Sequence, residues 1–248
     1  MSGPILWLRA DLDLECQPYS DGKQRVTVWH DQSGHQNDAV ARTGKPGPLC
    51  GSDAFPLNGV VDPYFADDNS DFASLILDVD LTPLLGSDYT IFVVERRRGD
   101  KYENYVIGTL IPTPDNFDCS ATGPNPYRGL HFGYRLDDTY TLEEFCDGLR
   151  VTVPVLTGTP VPHVDVGWFS QAPDAGQQIF VDGVFLGADH SQNKPLQLAT
   201  GGAIGRGYEE TYDERFIGDI AEVVVYPSAL SDADRNAVEA ELRQRWGF

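Results

Sequence analysis

Short apolar runs alternate with turn residues over most of the chain. Ile5–Ala10 and Arg25–His30 read as strands, and Tyr89–Arg96 mixes β-branched and aromatic residues as a largely buried strand does. The same pattern returns at Tyr105–Leu110, Leu130–Leu136, Leu149–Val155 and His163–Phe169. Within Gln177–Gly187, Asp182-Gly183 stands between two apolar runs. Asp-Gly accepts the positive φ values of a type I′ turn, so this segment is predicted to be a hairpin. Ala203–Gly207 and Arg215–Tyr226 supply the last strands.

The period then changes. Ser231 is a natural helix N-cap, and Asp232 and Asp234 fall in the first turn, where the helix dipole favours negative charge. Val238, Leu242 and Trp246 recur every four residues and form one apolar stripe. A single amphipathic helix over 231–246 is therefore predicted to close the β region, with the stripe packed against it. Pro112–Arg128 is rich in Pro, Asn, Asp and Gly and reads as a surface loop. Many short strands with little helix imply an all-β fold of two packed antiparallel sheets, and a jelly-roll sandwich manages its edges within that plan.

Composition fits this plan. With 25 Gly and 17 Pro among 248 residues, turns are abundant, and 41% hydrophobic content is enough to bury a core. One domain over 1–248 is expected, with the sandwich in 1–227 and the helix after it. The net charge of −20 makes a surface that repels phosphate backbones, so nucleic acid is excluded as a partner. No apolar run approaches the roughly 18 residues of a membrane helix, so no membrane insertion is expected. The opening residues, MSGPILWLRADLDLE, lack a basic region followed by a long apolar one. The expectation is cytoplasmic synthesis, with a virion or a non-classical export route as the destination. Cys16, Cys50, Cys119 and Cys146 are far apart and form no CxxC pair. They fit either disulfides in an oxidising compartment or buried thiols.

Three stretches together resemble the concanavalin A-like lectin/glucanase superfamily, in its laminin-G-like jelly-roll form. The first is LWLRADL followed by VWHDQSGHQNDAV, where Trp29, Asp31, Ser33, Gly34, Asn37, Asp38 and Ala39 match that family's opening strand and loop. The second is GLHFGYR with QIFVDGVFLG, similar to its central strand and hairpin. The third runs from Phe216 to Gly247, with Gly218, Glu222, Tyr226, Leu230 and Ser231 in the places of its closing strand and helix. The resemblance implies the fold but not the ligand, because loops carry function on such scaffolds.

Glucanases of the resembling fold carry Glu-x-Asp-x-x-Glu on one strand, which places the carboxylates on one face. That motif is missing: Glu143, Glu144 and Asp147, and Glu209, Glu210, Asp213 and Glu214, have other spacings and read as acidic loop or strand-edge clusters. Ser33 lies in Asp-Gln-Ser-Gly rather than a nucleophile elbow. His30 and His35 flank it too closely in sequence to be assigned as its base, and the whole His30–Asp38 stretch reads as a structural loop of turn-forming side chains. No catalytic residue is therefore assigned. His131 and His163 lie in strands, and no histidine pair has zinc-ligand spacing. For calcium, the resemblance makes a rim site plausible. The best local candidates are Asp67, Asp68, Asn69 and Asp71, against the competing reading of a solvated acidic loop.

A sugar site needs an aromatic platform and nearby polar groups. Asn125, Tyr127 and Arg128 in the irregular loop, Tyr134, Asp138 and Tyr140 around one strand turn, and Trp168 are the candidates, each weighed against ordinary packing. The expected function is a non-catalytic recognition domain of lectin type that binds a carbohydrate. The alternative is a structural or assembly component of a virion, fibre or appendage, contacting protein subunits as an oligomer. A glycan-active enzyme is the third reading.

Overall fold

The computed structural model describes residues 3–51, 62–66, 75–110, 129–144, 147–154, 159–191, 193–197, 199–207 and 213–248. The expected strands form, and the turns between them admit shorter ones. In chain order these are β1 (Leu6–Arg9), β2 (Leu14–Pro18), β3 (Gln24–Trp29), β4 (Ala39–Ala41), β5 (Leu49–Cys50), β6 (Pro63–Phe65), β7 (Leu77–Val79), β8 (Tyr89–Arg97) and β9 (Asn104–Leu110). They continue with β10 (Leu130–Leu136), β11 (Thr139–Glu144), β12 (Asp147–Thr152), β13 (His163–Ser170), β14 (Gly176–Val181), β15 (Val184–Asp189), β16 (Gly201–Ile204) and β17 (Gly218–Tyr226). An α-helix, α1 (Asp232–Trp246), follows.

The strands pair antiparallel in two layers. In the first, β1 and β6 lie along one edge of β17, which pairs β8, then β13, β14 and β15. In the second, the order is β2, β3, β4, β7, β16, β9, β10, β11, β12. Short β5 pairs with both β3 and β6 and joins the layers at one corner. Cys16 in β2 and Cys50 in β5 form a disulfide with their Cα atoms 6.1 Å apart, which ties that corner. Cys119 and Cys146 lie outside the described residues.

The layers face each other across an apolar core that includes Ile91, Val93, Phe132, Leu142 and Phe169. Strand alternation decides which side chains go in. A Cβ on Gly167 of β13 would stand 3.2 Å from side-chain carbons of both Leu142 and Phe132, so the sheets approach closely there. The predicted hairpin is β14–β15, with Asp182 at φ 51° and Gly183 at φ 77°, as a type I′ turn requires.

Helix α1 covers the outer face of the first sheet. Ser231 caps it in extended conformation, its Oγ accepting from Asp234 N at 3.2 Å, and Gly247 ends it at φ 79°. The buried stripe differs from the predicted one. Leu242 and Trp246 are buried, but their companions are Arg235 and Glu239, while Val238 is only partly buried. The polar pair is buried because the hairpin reaches the helix. Glu239 accepts from Gly183 N at 2.8 Å, and Arg235 stacks 3.7 Å from the Phe180 ring centroid. At the other end, Glu222 of β17 accepts from the indoles of Trp7 at 2.6 Å and Trp246 at 2.7 Å and pairs with Arg245. Among the described residues no helix is long and apolar enough to cross a membrane.

Candidate functional site

The loop after β3 gathers the most catalytic-looking side chains, and its geometry is that of a clasp. Asp31 accepts from Trp7 N and Ser33 N at 2.9 Å each, from Ser33 Oγ at 2.6 Å and from Asn37 N at 3.1 Å. Asn37 exchanges two hydrogen bonds with the backbone of Asp80, and Asp38 accepts from Asp31 N at 2.8 Å. The loop thus fastens β1, β3 and the segment after β7. Ser33 Oγ donates its hydrogen bond to the Asp31 carboxylate rather than to a histidine. His30 lies between Glu15 at 3.1 Å and Asp38 at 3.0 Å, and the bonds to those two raise its pKa above the ordinary value. No Ser–His pair exists here to activate a nucleophile.

Of the residues expected to hold sugar, the four that are described do not share one surface. Tyr134 and Tyr140 point between the sheets: Tyr140 is fully buried and Tyr134 is 6% exposed. Tyr134 lies in an expected strand and Tyr140 in β11, which was not expected; alternation turns both rings inward, and of the two only Tyr134 lines a cleft at the rim. Asp138 lies at the β10–β11 turn and accepts from Thr139 Oγ1 at 3.0 Å. Trp168 is on the opposite face of the first sheet, with its indole donating to Leu230 O at 2.9 Å. Asn125, Tyr127 and Arg128, and the calcium candidates Asp67, Asp68, Asn69 and Asp71, lie outside the described residues. Among the described residues no group of three or more His, Cys, Asp or Glu converges to hold a metal ion.

A cleft does open at the rim where β8, β10 and β13 meet the hairpin. Its volume is about 460 Å³. Val153, Pro154, Val161, Val181, Val184 and Leu186 make apolar walls, and Arg97, Tyr134, His163 and Asp182 supply the polar groups. Register brings these together: β13 pairs His163 with Glu95 of β8, and the hairpin returns Asp182 beside the start of β13. His163 Nδ1 lies 2.8 Å from Asp182 Oδ2, and Asp182 Oδ1 accepts from Val164 N at 3.0 Å. Burial alone would lower the His163 pKa, but the bond to Asp182 and the nearby carboxyls lift it to about 9. Asp182, for which burial works the other way, ends below the usual carboxylate range because of His163 and the Val164 amide.

Behind this wall sits a buried polar ladder. Tyr134 donates to Glu95 at 2.7 Å, and Tyr140 donates to Asp165 at 2.8 Å. Both carboxyls are fully buried. Burial, reinforced by Asp165, pushes Glu95 well above its ordinary pKa, and burial raises Asp165 to about 7. The pair therefore holds protons across mildly acidic pH. Sequence reading named Glu143 and Glu144 as an acidic cluster but missed Glu95 and Asp165, which sit inside apolar runs.

The outer face of the second sheet carries another polar group. The rings of Tyr105 and His131 stack at 4.3 Å, and His131 Nε2 is 3.1 Å from Glu143. Burial would raise Glu143, yet His131, Arg150 and Arg135 hold it down at about 2. Tyr105 and His131 are themselves buried.

No protein-family model matches the sequence, and no curated protein sequence matches it. Solved structures do match by fold. The CBM40 domain of the Ruminococcus gnavus IT-sialidase aligns at 16% identity and TM-score 0.51, over 66% of this chain and 92% of that one. The binding domain of botulinum neurotoxin DC, solved with SialylT, aligns at 11% identity and TM-score 0.58, over 97% of this chain and 52% of that chain. Trypanosoma rangeli sialidase in complex with 2,3-difluorosialic acid aligns at 12% identity and TM-score 0.56, over 98% of this chain and 33% of the enzyme. The shared feature is a β-sandwich of the type used by carbohydrate-binding modules and toxin binding domains. At such identities the likeness defines the fold.

Proposed function

We propose that the protein is a non-catalytic carbohydrate-recognition domain of lectin type, built on a concanavalin A-like, laminin-G-like jelly roll. The observation that carries the reading is the rim cleft, an apolar-walled hollow with a few convergent polar groups at its base, which is the usual form of a small-ligand site. Its volume of about 460 Å³ lies within the roughly 300–1,000 Å³ of such sites. The fold neighbours support the ligand class, since one is a carbohydrate-binding module and the CBM40 domain of the same sialidase has been solved bound to α2,3-sialyllactose. The non-catalytic part rests on burial and pairing. Glu95 and Asp165, behind the cleft wall, are 0% exposed and engaged by tyrosines, and Asp182, the carboxyl that lines the cleft, is held by His163 and the Val164 amide. Binding to a broad glycan array without release of reducing ends is the expected result. Silence on the array refutes the carbohydrate reading, and released reducing ends refute the non-catalytic one.

One observation favours assembly as a second reading. Among the described residues β15 pairs with no strand beyond β14, and Val184 and Phe185 at its start are 59% and 55% exposed, with Val161 at 57%. An apolar free edge of that kind suits contact with another subunit. Light scattering on the purified chain decides it: a stable large assembly supports this role, and a monomer removes it. Calcium at Asp67, Asp68, Asn69 and Asp71 is proposed as an accessory site, and a thermal melt unmoved by millimolar calcium or chelator refutes it.

A further inference from the structure

We propose that the rim cleft is selective for a sugar bearing a carboxylate, held by Arg97 and His163 while Val161, Val184 and Leu186 cover the ring. The proposal rests on the carbohydrate reading and names its ligand class. Two donors line the cleft without an acceptor among the described residues, Arg97 Nη1 from a buried position and His163 Nε2. Arg97 is 5% exposed and lines the cleft. Its Nη2 donates to Asp137 O at 2.9 Å and its guanidinium carbon lies 4.0 Å from the Tyr134 ring centroid, but Nη1 has no hydrogen-bond partner among the described residues. A buried cationic donor without an acceptor is costly, and a ligand oxygen settling against the Arg97 side chain removes that cost. His163 spends Nδ1 on Asp182, and its Nε2 has no partner among the described residues. Because Nδ1 faces a carboxylate, the protonated ring carries its second N–H at Nε2, which remains available to donate to a ligand.

The surrounding charges keep the base of the cleft positive at mildly acidic pH. His163 faces Asp182, whose backbone carbonyl accepts from Arg243 of α1 at 3.0 Å, and Arg97 acts on Glu95 behind the cleft. Glu95 of β8 and Asp165 of β13 hold their protons there, and Tyr134 and Tyr140 stay neutral because burial raises their hydroxyls. Glu239 of α1 is raised by burial. Ionisation of Asp165 near pH 7, then loss of the His163 proton near 9, both weaken the hold on an anion.

The test is titration calorimetry of the full chain at pH 6 and pH 8.5 with N-acetylneuraminic acid and glucuronic acid, their methyl esters, and glucose. Charge-assisted bonds predict acids binding about tenfold or more tightly than their esters at pH 6. The preference shrinks at pH 8.5, is lost in R97M and in H163Q, and is partly kept in R97K. Esters that bind as well as the acids, with R97M and H163Q unchanged, overturn the carboxylate proposal and leave the carbohydrate reading standing. Binding of no saccharide at all overturns both. If R97M fails to fold, H163Q and the ester comparison still decide.

Discussion

Replacing Asp31 by alanine removes the acceptor of four hydrogen bonds, from Trp7 N, Ser33 N, Ser33 Oγ and Asn37 N. A bond to a charged group contributes about 1.5–3 kcal/mol, but the loop is only partly buried and water replaces some of what is lost. Roughly 3 kcal/mol is then the net cost, within the range of severe single substitutions. For a chain of this length that corresponds to a fall in Tm of roughly 6–12 °C. Asp31→Asn keeps one side-chain oxygen, so it should fall between wild type and D31A. The pH dependence has a definite sign. Burial opposes ionisation of Asp31, but the bonds from Ser33, Trp7 and Asn37 prevail and hold its pKa below the ordinary value. Its contribution is therefore present above the unfolded value of about 4 and is lost as pH falls through the folded one. Scanning calorimetry of wild type, D31N and D31A from pH 3 to 7 measures all of this. A D31A melt equal to wild type, with glycan binding abolished, would refute the clasp and make the loop a site.

Three further outcomes follow from the same structure. Opening the Cys16–Cys50 bridge, by C16A/C50A or by reductant, frees a loop of 34 residues, and chain entropy sets the loss at about 3.8 kcal/mol, read as a lower denaturant midpoint. Glu222→Ala leaves two indole N–H groups and Arg245 without their shared acceptor, so a loss of about 3–5 kcal/mol and a changed near-ultraviolet tryptophan spectrum are expected as the helix loosens. Asp165, raised to about 7, favours folding most at low pH and costs stability progressively as pH rises from about 4 through 7; urea midpoints should fall over that window in wild type and fall less in Asp165→Asn.

Much of the sandwich was legible because its longest strands carry uninterrupted apolar or alternating runs. β8, β10, β13 and β17 appeared within a few residues of their bounds, and Asp182-Gly183 marked its own turn. β11 did not appear, because TYTLEE buries polar groups: Thr141 bonds Leu149 O and Glu144 accepts from Tyr89 at 2.9 Å. Hydropathy cannot distinguish a carboxyl with a tyrosine partner from one in water. The short strands β4, β5, β6 and β7 exist only through their neighbours. The rim cleft was not legible for a related reason. Tyr134, Tyr140 and Trp168 were grouped by chain order, yet the first two face the core and the third the helix. Arg97, His163 and Asp182 meet only through the pairing of β13 with β8 and the return of the hairpin, and register of that kind is not visible in one sequence. Asp31 was the exception, since its partners are mostly its own loop.

The measurement that bears most directly on the central claim is a ¹⁵N–¹H correlation spectrum of the full chain titrated with 3′-sialyllactose. The account predicts saturable shifts clustered at Arg97, Val161, His163, Asp182, Val184 and Leu186. A spectrum that does not move, or one that moves only away from the rim cleft, would contradict it.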